Sequence, residues 1–321
     1  MQNANDLFDT RPKARLNILP QNPDSAAKDA AVSLGRFPKW LHRKMPEGSA
    51  LWDTHSVINE KRLYTVCEEA KCPNLLECYS KKTATFLILG KSCTRACGFC
   101  DIAYSPHPET DPDEPEKIAH SVVQLGLKHV VITMVARDDL ADGGSGHLVQ
   151  VIDAIRKQSP QSTIETLTSD FDGNFEAFDA LIASNPDIFN HNVETVERLS
   201  PKVRHKATYR RSLSVLSYIK SKSPESAVKS GIMVGLGEEK QEVFQTLKDL
   251  AAIGCDIVTI GQYLQASPKK LAVKEFVTPE TFDEYKNYGL QIGIPNMYVG
   301  PFVRSSYNAG LFVKNKRIDS I

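Results

Sequence analysis

The strongest constraint on the fold is an alternation that begins at residue 85, where short apolar runs start to trade places with amphipathic segments. TFLIL (85–89), HVVITMV (129–135), TIETL (163–167), DIFNHNV (187–193), SGIMVGL (230–236) and DIVTI (256–260) are rich in β-branched residues and nearly continuous in their apolar character. That is the pattern of strands covered on both faces. Between them, PEKIAHSVVQLGLK, HLVQVIDAIRKQ, NFEAFDALIAS, YRRSLSVLSYIKS and KQEVFQTLKDLAAIG repeat apolar residues every three to four positions, and Gly254 closes the last. Strand and helix in strict alternation require a parallel sheet. About six such units predict an α/β fold, a partial (β/α)6 TIM-like barrel whose reactive residues sit on loops at the carboxyl ends of the strands.

The loop after the first of these strands holds Cys93, Cys97 and Cys100, spaced CxxxCxxC in KSCTRACGFC. Thiolates are the soft ligands that iron–sulfur clusters take. Three of them hold three corners of a four-iron cubane and leave the fourth iron open, and an open metal position serves catalysis rather than scaffolding. A second trio, Cys67, Cys72 and Cys78 in VCEEAKCPNLLECYS, lies just upstream, so six of the seven cysteines fall in one short stretch. Disulfides account for this poorly, because a chain of 321 residues buries an ample core without staples and its opening does not read as a secretory signal. Zinc is a closer alternative. Structural zinc sites, however, pair CxxC or Cys/His knuckles with a fourth ligand near at hand, and CxxxCxxC supplies only three.

Composition narrows the partners. With 39 basic and 39 acidic side chains the net charge is zero, so no global field recommends nucleic acid or an anionic membrane. No apolar run approaches the span of a bilayer. An oxygen-sensitive, thiolate-rich chain belongs in a reducing compartment, and Asp6 and Asp9 among the arginines of MQNANDLFDTRPKAR are unlike a transit peptide, which favours the cytoplasm.

Four regions are expected. Residues 1–48 form a polar, proline-punctuated arm with one apolar patch at Phe37, Trp40 and Leu41; 49–82 carry the upstream cysteines; 83–275 make the barrel; and 276–321 form a C-terminal extension. The predicted strand-end loops hold further candidates. In DGGSGH (142–147), Gly143 and Gly144 stand at the entry to a helix, where bare amides cradle an anion or merely turn the chain. Asp138 and Asp139 either cap that helix or bind ligand hydroxyls and amines. GLGEE (235–239) lacks the third glycine of a dinucleotide fingerprint, and a loop carboxylate capping the next helix is its simpler reading. His191 in FNHNVETV is as suited to a ligand as to a structural hydrogen bond. Cys255 reads as a core residue, and Arg304, Ser305, Ser306 and Tyr307 read as a loop after an apolar strand.

Taken together, the CxxxCxxC trio with Gly98-Phe99-Cys100, the upstream trio, RDDLADGG, FNHNVETV, SGIMVGLGE, GQYLQAS and the terminal RSSY resemble the lipoyl synthase family of the radical S-adenosylmethionine superfamily, in the family's own order, over residues 35–315. The resemblance implies two 4Fe-4S clusters. One, on Cys93, Cys97 and Cys100, binds the methionyl group of S-adenosylmethionine at its open iron and generates a 5′-deoxyadenosyl radical. The other, on Cys67, Cys72, Cys78 and Ser306, donates sulfur to C6 and C8 of an octanoyl group held on a carrier-protein lysine. Asp138, Gly143, Gly144 and His191 are the implied cofactor contacts. The implied partners are an octanoylated lipoyl carrier domain or H protein, a reducing electron donor, and an iron–sulfur carrier that repairs the consumed cluster. Met134, Ala136, Ser169, Ala266 and Lys270 depart from the family pattern, and none is a cluster ligand.

Overall fold

Each of the six apolar runs becomes a parallel strand, and two further strands flank them. In the computed structural model, which describes residues 37–42 and 50–306, the strands are β1 (Tyr64–Thr65), β2 (Thr85–Ile88), β3 (His129–Met134), β4 (Thr163–Leu167), β5 (Ile188–Asn190), β6 (Ala227–Val234), β7 (Ile257–Gln262) and β8 (Asn296–Gly300). They form one sheet in sequential order, from β1 at one edge to β8 at the other. Only the β1–β2 pairing is antiparallel, with Tyr64 opposite Leu87 and Thr65 opposite Phe86; the remaining six pairings are parallel.

The helices are α1 (Ala50–Glu60), α2 (Val66–Glu69), α3 (Leu75–Ser80), α4 (Glu114–Leu125), α5 (Ser145–Gln158), α6 (Phe175–Ala183), α7 (Ser200–Val203), α8 (Tyr209–Lys222), α9 (Lys240–Ala252) and α10 (Pro279–Gln291). Their ends follow local chemistry. Thr208 Oγ1 accepts the Arg211 amide at 3.2 Å to start α8, and Glu239 and Glu242 form a reciprocal capping box for α9. The capping reading of GLGEE therefore holds, and the amides of Gly235 and Leu236 are taken by the Glu238 carboxylate. Among the described residues no helix is long and apolar enough to cross a membrane.

Two boundaries differ from the sequence expectation for a physical reason. Strand β6 starts at Ala227, earlier than SGIMVGL suggests, because Lys229 interrupts the apolar run yet lies inside the sheet. Strand β5 stops at Asn190, so His191–Val193 belong to the loop. Beyond Thr278, whose hydroxyl accepts the Thr281 amide at 3.3 Å, α10 and β8 add a seventh parallel unit within the C-terminal extension. Of the N-terminal arm, only Phe37–His42 lies among the described residues; there Phe37 stacks edge-on against Phe276 at 5.5 Å and Leu41 is buried.

The pleat sorts the strands into two faces. Phe86, Ile88, Val130, Ile132, Ile164, Phe189, Val228 and Val258 pack against the helices in the main core. The alternate positions face the concave side, where Val131, Ile188, Ala227 and Ile257 form an aliphatic layer. Next to it sits a charged one. Lys229 Nζ donates to both oxygens of Glu165 at 2.9 and 3.0 Å, Asn190 Nδ2 donates to Glu165 Oε1 at 2.8 Å, and neither charged side chain is exposed at all. Despite its burial, Glu165 is held below the usual carboxylate range by the charge of Lys229. Removing one partner of a buried pair strands the other charge, at a cost of roughly 3–5 kcal/mol. Lys229→Met is expected to lower the denaturant midpoint of the metal-free chain accordingly, and an unchanged midpoint would count against the pair as a structural element.

Candidate active site

The Cys93–Cys100 loop leaves the carboxyl end of β2 and is fastened at several points. Ser92–Cys93 pairs with Ala103–Tyr104, and the Ser105 amide donates to the Cys93 carbonyl at 3.0 Å, which closes the loop at its base. Thr94 ties it to the exit of β3: its amide and hydroxyl both donate to the Ala136 carbonyl, at 3.1 and 2.9 Å, and its oxygen accepts the Asp138 amide at 3.0 Å. Arg95 is buried. It makes a fork to Asp138 (Nε to Oδ2 2.9 Å, Nη2 to Oδ1 2.6 Å) and reaches Asp170 at 2.6 Å through Nη1. A guanidinium matched in this way to two carboxylates holds the loop from inside. On the far side the Gly98 amide donates to Val203 and the Gly98 carbonyl accepts from Leu271, at 2.9 and 3.0 Å.

The upstream trio is placed by the antiparallel edge of the sheet. Thr65 ends β1 and caps α2, which carries Cys67. The Cys72 amide then returns to the Cys67 carbonyl at 3.0 Å, and Cys78 lies on α3. Tyr79, fully buried, locks this segment: its hydroxyl lies 2.8 Å from Thr65 Oγ1 and donates to Glu68 at 3.1 Å, while its carbonyl accepts from Thr54 at 2.9 Å.

All seven cysteines are free thiols. Cys255 is buried in the main core, as anticipated. Burial pushes the Cys100 thiol up to about 12, and the charges of Cys97 and Cys93 push in the same direction. Cys97 is likewise raised by burial and by Cys93, against the pull of Arg204. In the second trio burial and the charge of Cys72 raise Cys78 to about 11 and carry Cys67 higher still. Members of each trio are thus close enough to repel one another as thiolates. Among the described residues, however, no three His, Cys, Asp or Glu side chains converge on a point that a single ion fills. Soft sulfur ligands in threes, partly buried and mutually close but not focused on one point, fit a group with several metal corners better than a single zinc ion.

Ser306 lies at the end of the described chain, half-buried, in a turn that follows β8; Tyr307 lies outside the described residues. One contact ties the chain just before it to the upstream segment, and one fastens it over the sheet. Asn74 Nδ2, between Cys72 and Cys78, donates to the Phe302 carbonyl at 2.7 Å. Gly261, at the end of β7, admits the chain closely, since a Cβ there would stand 2.0 Å from the Val303 oxygen.

The remaining candidates take their places among internal hydrogen bonds. His191 is buried, with one ring nitrogen 2.9 Å from the Thr168 carbonyl and the other 2.9 Å from the Ser212 hydroxyl. Burial and the charge of Arg204 push it down to about 4, so it is neutral and fully engaged inside the protein. Both ring nitrogens brace the loop after β5. The amides near Gly143 and Gly144 are also taken: Asp142 accepts from Gly144 and Gly146 at 2.9 and 2.8 Å, so the chain's own carboxylate fills the cradle. Gly144 is needed for its φ of +89° and because a Cβ would lie 2.5 Å from Leu89. Asp138 does stand beside the cysteine loop. Its carboxylate is held below the usual range, against the effect of burial, by Arg95 and Lys206, so its first role is to fix Arg95.

A group that the sequence did not reveal adjoins Cys97. Arg204 is buried and donates to the Asn192 carbonyl at 2.5 Å. Glu194, raised by burial against the pull of Arg204, accepts from Asn192 Nδ2 at 3.0 Å. Glu194 adopts φ +65°, unusual for a residue with a side chain, and is clamped there by bonds to Gly231 and Met233. Asn192 Oδ1 is buried with no hydrogen-bond partner among the described residues. Nothing in PKVRHK marks its arginine in advance; FNHNVETV was the visible signal, with attention drawn to its histidine.

A barrel sheet with a CxxxCxxC loop at the exit of its first parallel strand defines the class, and residues 87–250 match the Radical SAM superfamily. Solved structures share the fold at low identity. SuiB of Streptococcus suis, bound to precursor peptide SuiA, aligns with a TM-score of 0.55 at 12% identity, over 67% of this chain and 48% of that one. Methylornithine synthase (PylB) aligns at 0.50 and 12%, over 84% and 93%. The sequence is far closer to the lipoyl synthase of Protochlamydia amoebophila (strain UWE25), with 62% identity over 309 residues and 95% of each chain. The chain belongs to the lipoyl synthase family.

Proposed function

We infer that this protein is a lipoyl synthase, a radical S-adenosylmethionine enzyme that inserts two sulfur atoms, at C6 and C8, into an octanoyl group carried on a protein lysine. The observation that carries this reading is the pair of cysteine trios at neighbouring loops, one rising from β2 and one held on the antiparallel edge, with Asn74 of the second segment donating to the Phe302 carbonyl four residues before Ser306. When bound, the clusters supply the electron that cleaves S-adenosylmethionine and the sulfur that enters the product.

The chain's own residues do the rest. Cys93, Cys97 and Cys100 hold one cluster; Cys67, Cys72 and Cys78, with Ser306, hold the other. Glu194 and the open Asn192 Oδ1 suit an ammonium group, and Arg204, with its charge beside Cys97, suits a carboxylate, which together describe the amino-acid end of S-adenosylmethionine. At the strand ends the buried Arg95 holds Asp170, fully buried, and the partly exposed Asp138, which fixes the cysteine loop in place so that a radical is made beside its target.

The substrate is an octanoylated carrier protein, either a lipoyl domain or an H protein. A reducing electron donor and an iron–sulfur carrier that rebuilds the auxiliary cluster complete the system, in the cytoplasm. With zero net charge on the chain, docking rests on local basic residues. Anaerobic turnover with an octanoylated carrier should yield the lipoyl group by mass spectrometry, with little product from free octanoate. No lipoyl product, or equal insertion into free octanoate, would refute this reading.

A further inference from the structure

The two cysteine loops are joined by a clasp that cluster ligation does not require. Lys71 directly precedes Cys72, and Asp101 directly follows Cys100. Lys71 Nζ donates to Asp101 Oδ2 at 2.6 Å, and Ser267 Oγ, from the loop after β7, donates to Asp101 Oδ1 at 2.7 Å. One carboxylate therefore joins three segments, and it is mostly shielded, at 12% exposure. The Ser267 loop is itself tied back to the Cys93–Cys100 loop, through Leu271 to Gly98 at 3.0 Å, and braced by the Tyr263 hydroxyl on the Leu271 carbonyl at 2.7 Å.

Lys71 is an unexpected residue at its position. Its φ is +50°, the left-handed conformation in which glycine or asparagine is usual after a short helix, yet a long cationic side chain stands there. Its amide still closes the turn, donating to Glu68 at 3.0 Å. The side chain reaches across to Asp101 while remaining 60% exposed, and exposed pairs of this kind add little to stability. The consequence of the contact lies in geometry.

We propose that Asp101 is a positioning residue: with Lys71 and Ser267 it sets the auxiliary cysteine loop against the Cys93–Cys100 loop, so that both sulfur insertions occur on one bound substrate. The proposal rests on the lipoyl synthase reading, in which C6 and C8 must each meet the site of hydrogen abstraction and then the sulfur donor. Misplacing reacting groups by about 1 Å costs on the order of 10²-fold in rate. A loop that drifts lets the radical be made without being captured by sulfur.

The test is Asp101→Ala. In the metal-free chain, hydrogen exchange should quicken over 66–80 and 265–271 and stay unchanged over 129–134. After reconstitution, S-adenosylmethionine cleavage should persist within about twofold, while 5′-deoxyadenosine formed per lipoyl group rises at least about fivefold and product with a single sulfur accumulates. The exchanged pair, Lys71→Asp with Asp101→Lys, should restore coupling to within about twofold of the wild type. If Asp101→Ala does not fold, Asp101→Asn carries the same comparison. Unchanged coupling, equal loss of cleavage and product, or an exchanged pair no better than the single variant overturns the clasp. A wild-type enzyme that makes no lipoyl group overturns the parent reading instead, and the exchange measurement on the metal-free chain still decides whether the clasp exists.

Discussion

A variant with Cys93, Cys97 and Cys100 all changed to alanine will fail to cleave S-adenosylmethionine while retaining roughly half of the iron of the reconstituted wild type. The expectation follows from the side chains that fasten each trio, none of which is a thiol of the other. The second trio depends on Thr65, Tyr79 and the β1–β2 pairing, none of which involves the thiols of the first. The first loop, in turn, keeps its shape without its sulfurs, because Thr94 and Arg95 fasten it to the exit of β3 and to Asp170. Burial and neighbouring charge raise Cys97 and Cys100, and the bonds that shape the loop run through Thr94, Arg95 and Gly98 instead of through its sulfurs. Iron determination and chromatography of 5′-deoxyadenosine after anaerobic reduction measure the two quantities. Cleavage at the wild-type rate would sink the assignment of this trio.

The barrel and its cysteine trios were legible because their signals are local. Hydrophobic period marks a strand such as TFLIL within its own few residues, and thiolate spacing marks a cluster loop within eight. What escaped depends on partners far along the chain. The strand expected from Ser230 begins at Ala227, because nothing in AVKSGIMV indicates that Glu165, on β4, will neutralise Lys229 inside the barrel. His191 stayed open between ligand and brace because its two partners, Thr168 and Ser212, come from other segments. The DGGSGH turn stayed open between anion cradle and plain turn because an Asp two residues away folds back on it only in three dimensions. Polar residues near a strand end have one sequence signature and two fates, and the choice between ligand contact and internal brace is made by tertiary packing.

Replacing Ser306 with alanine should leave S-adenosylmethionine cleavage intact and remove most of the lipoyl product, whereas Ser305→Ala should be milder. The upstream trio offers three thiolates, and a four-iron cluster there has one corner without a protein ligand. The chain four residues before Ser306 is tied to that segment, since Asn74 Nδ2 donates to the Phe302 carbonyl, and the cysteines concerned lie more than two hundred residues earlier in the sequence. A serine hydroxyl ionises when it ligates metal. A hard oxygen is also a poorer match to iron–sulfur than thiolate, which makes that corner the labile one in a cluster that must surrender sulfur. The alternative is that Ser305 and Ser306 serve only to satisfy the turn, in which case both alanine variants behave alike and lose stability, not product. Measuring 5′-deoxyadenosine and lipoyl group in the same reaction separates the two, because a ligand role divides the yields and a turn role moves them together. Wild-type lipoyl formation by Ser306→Ala would refute the ligand role.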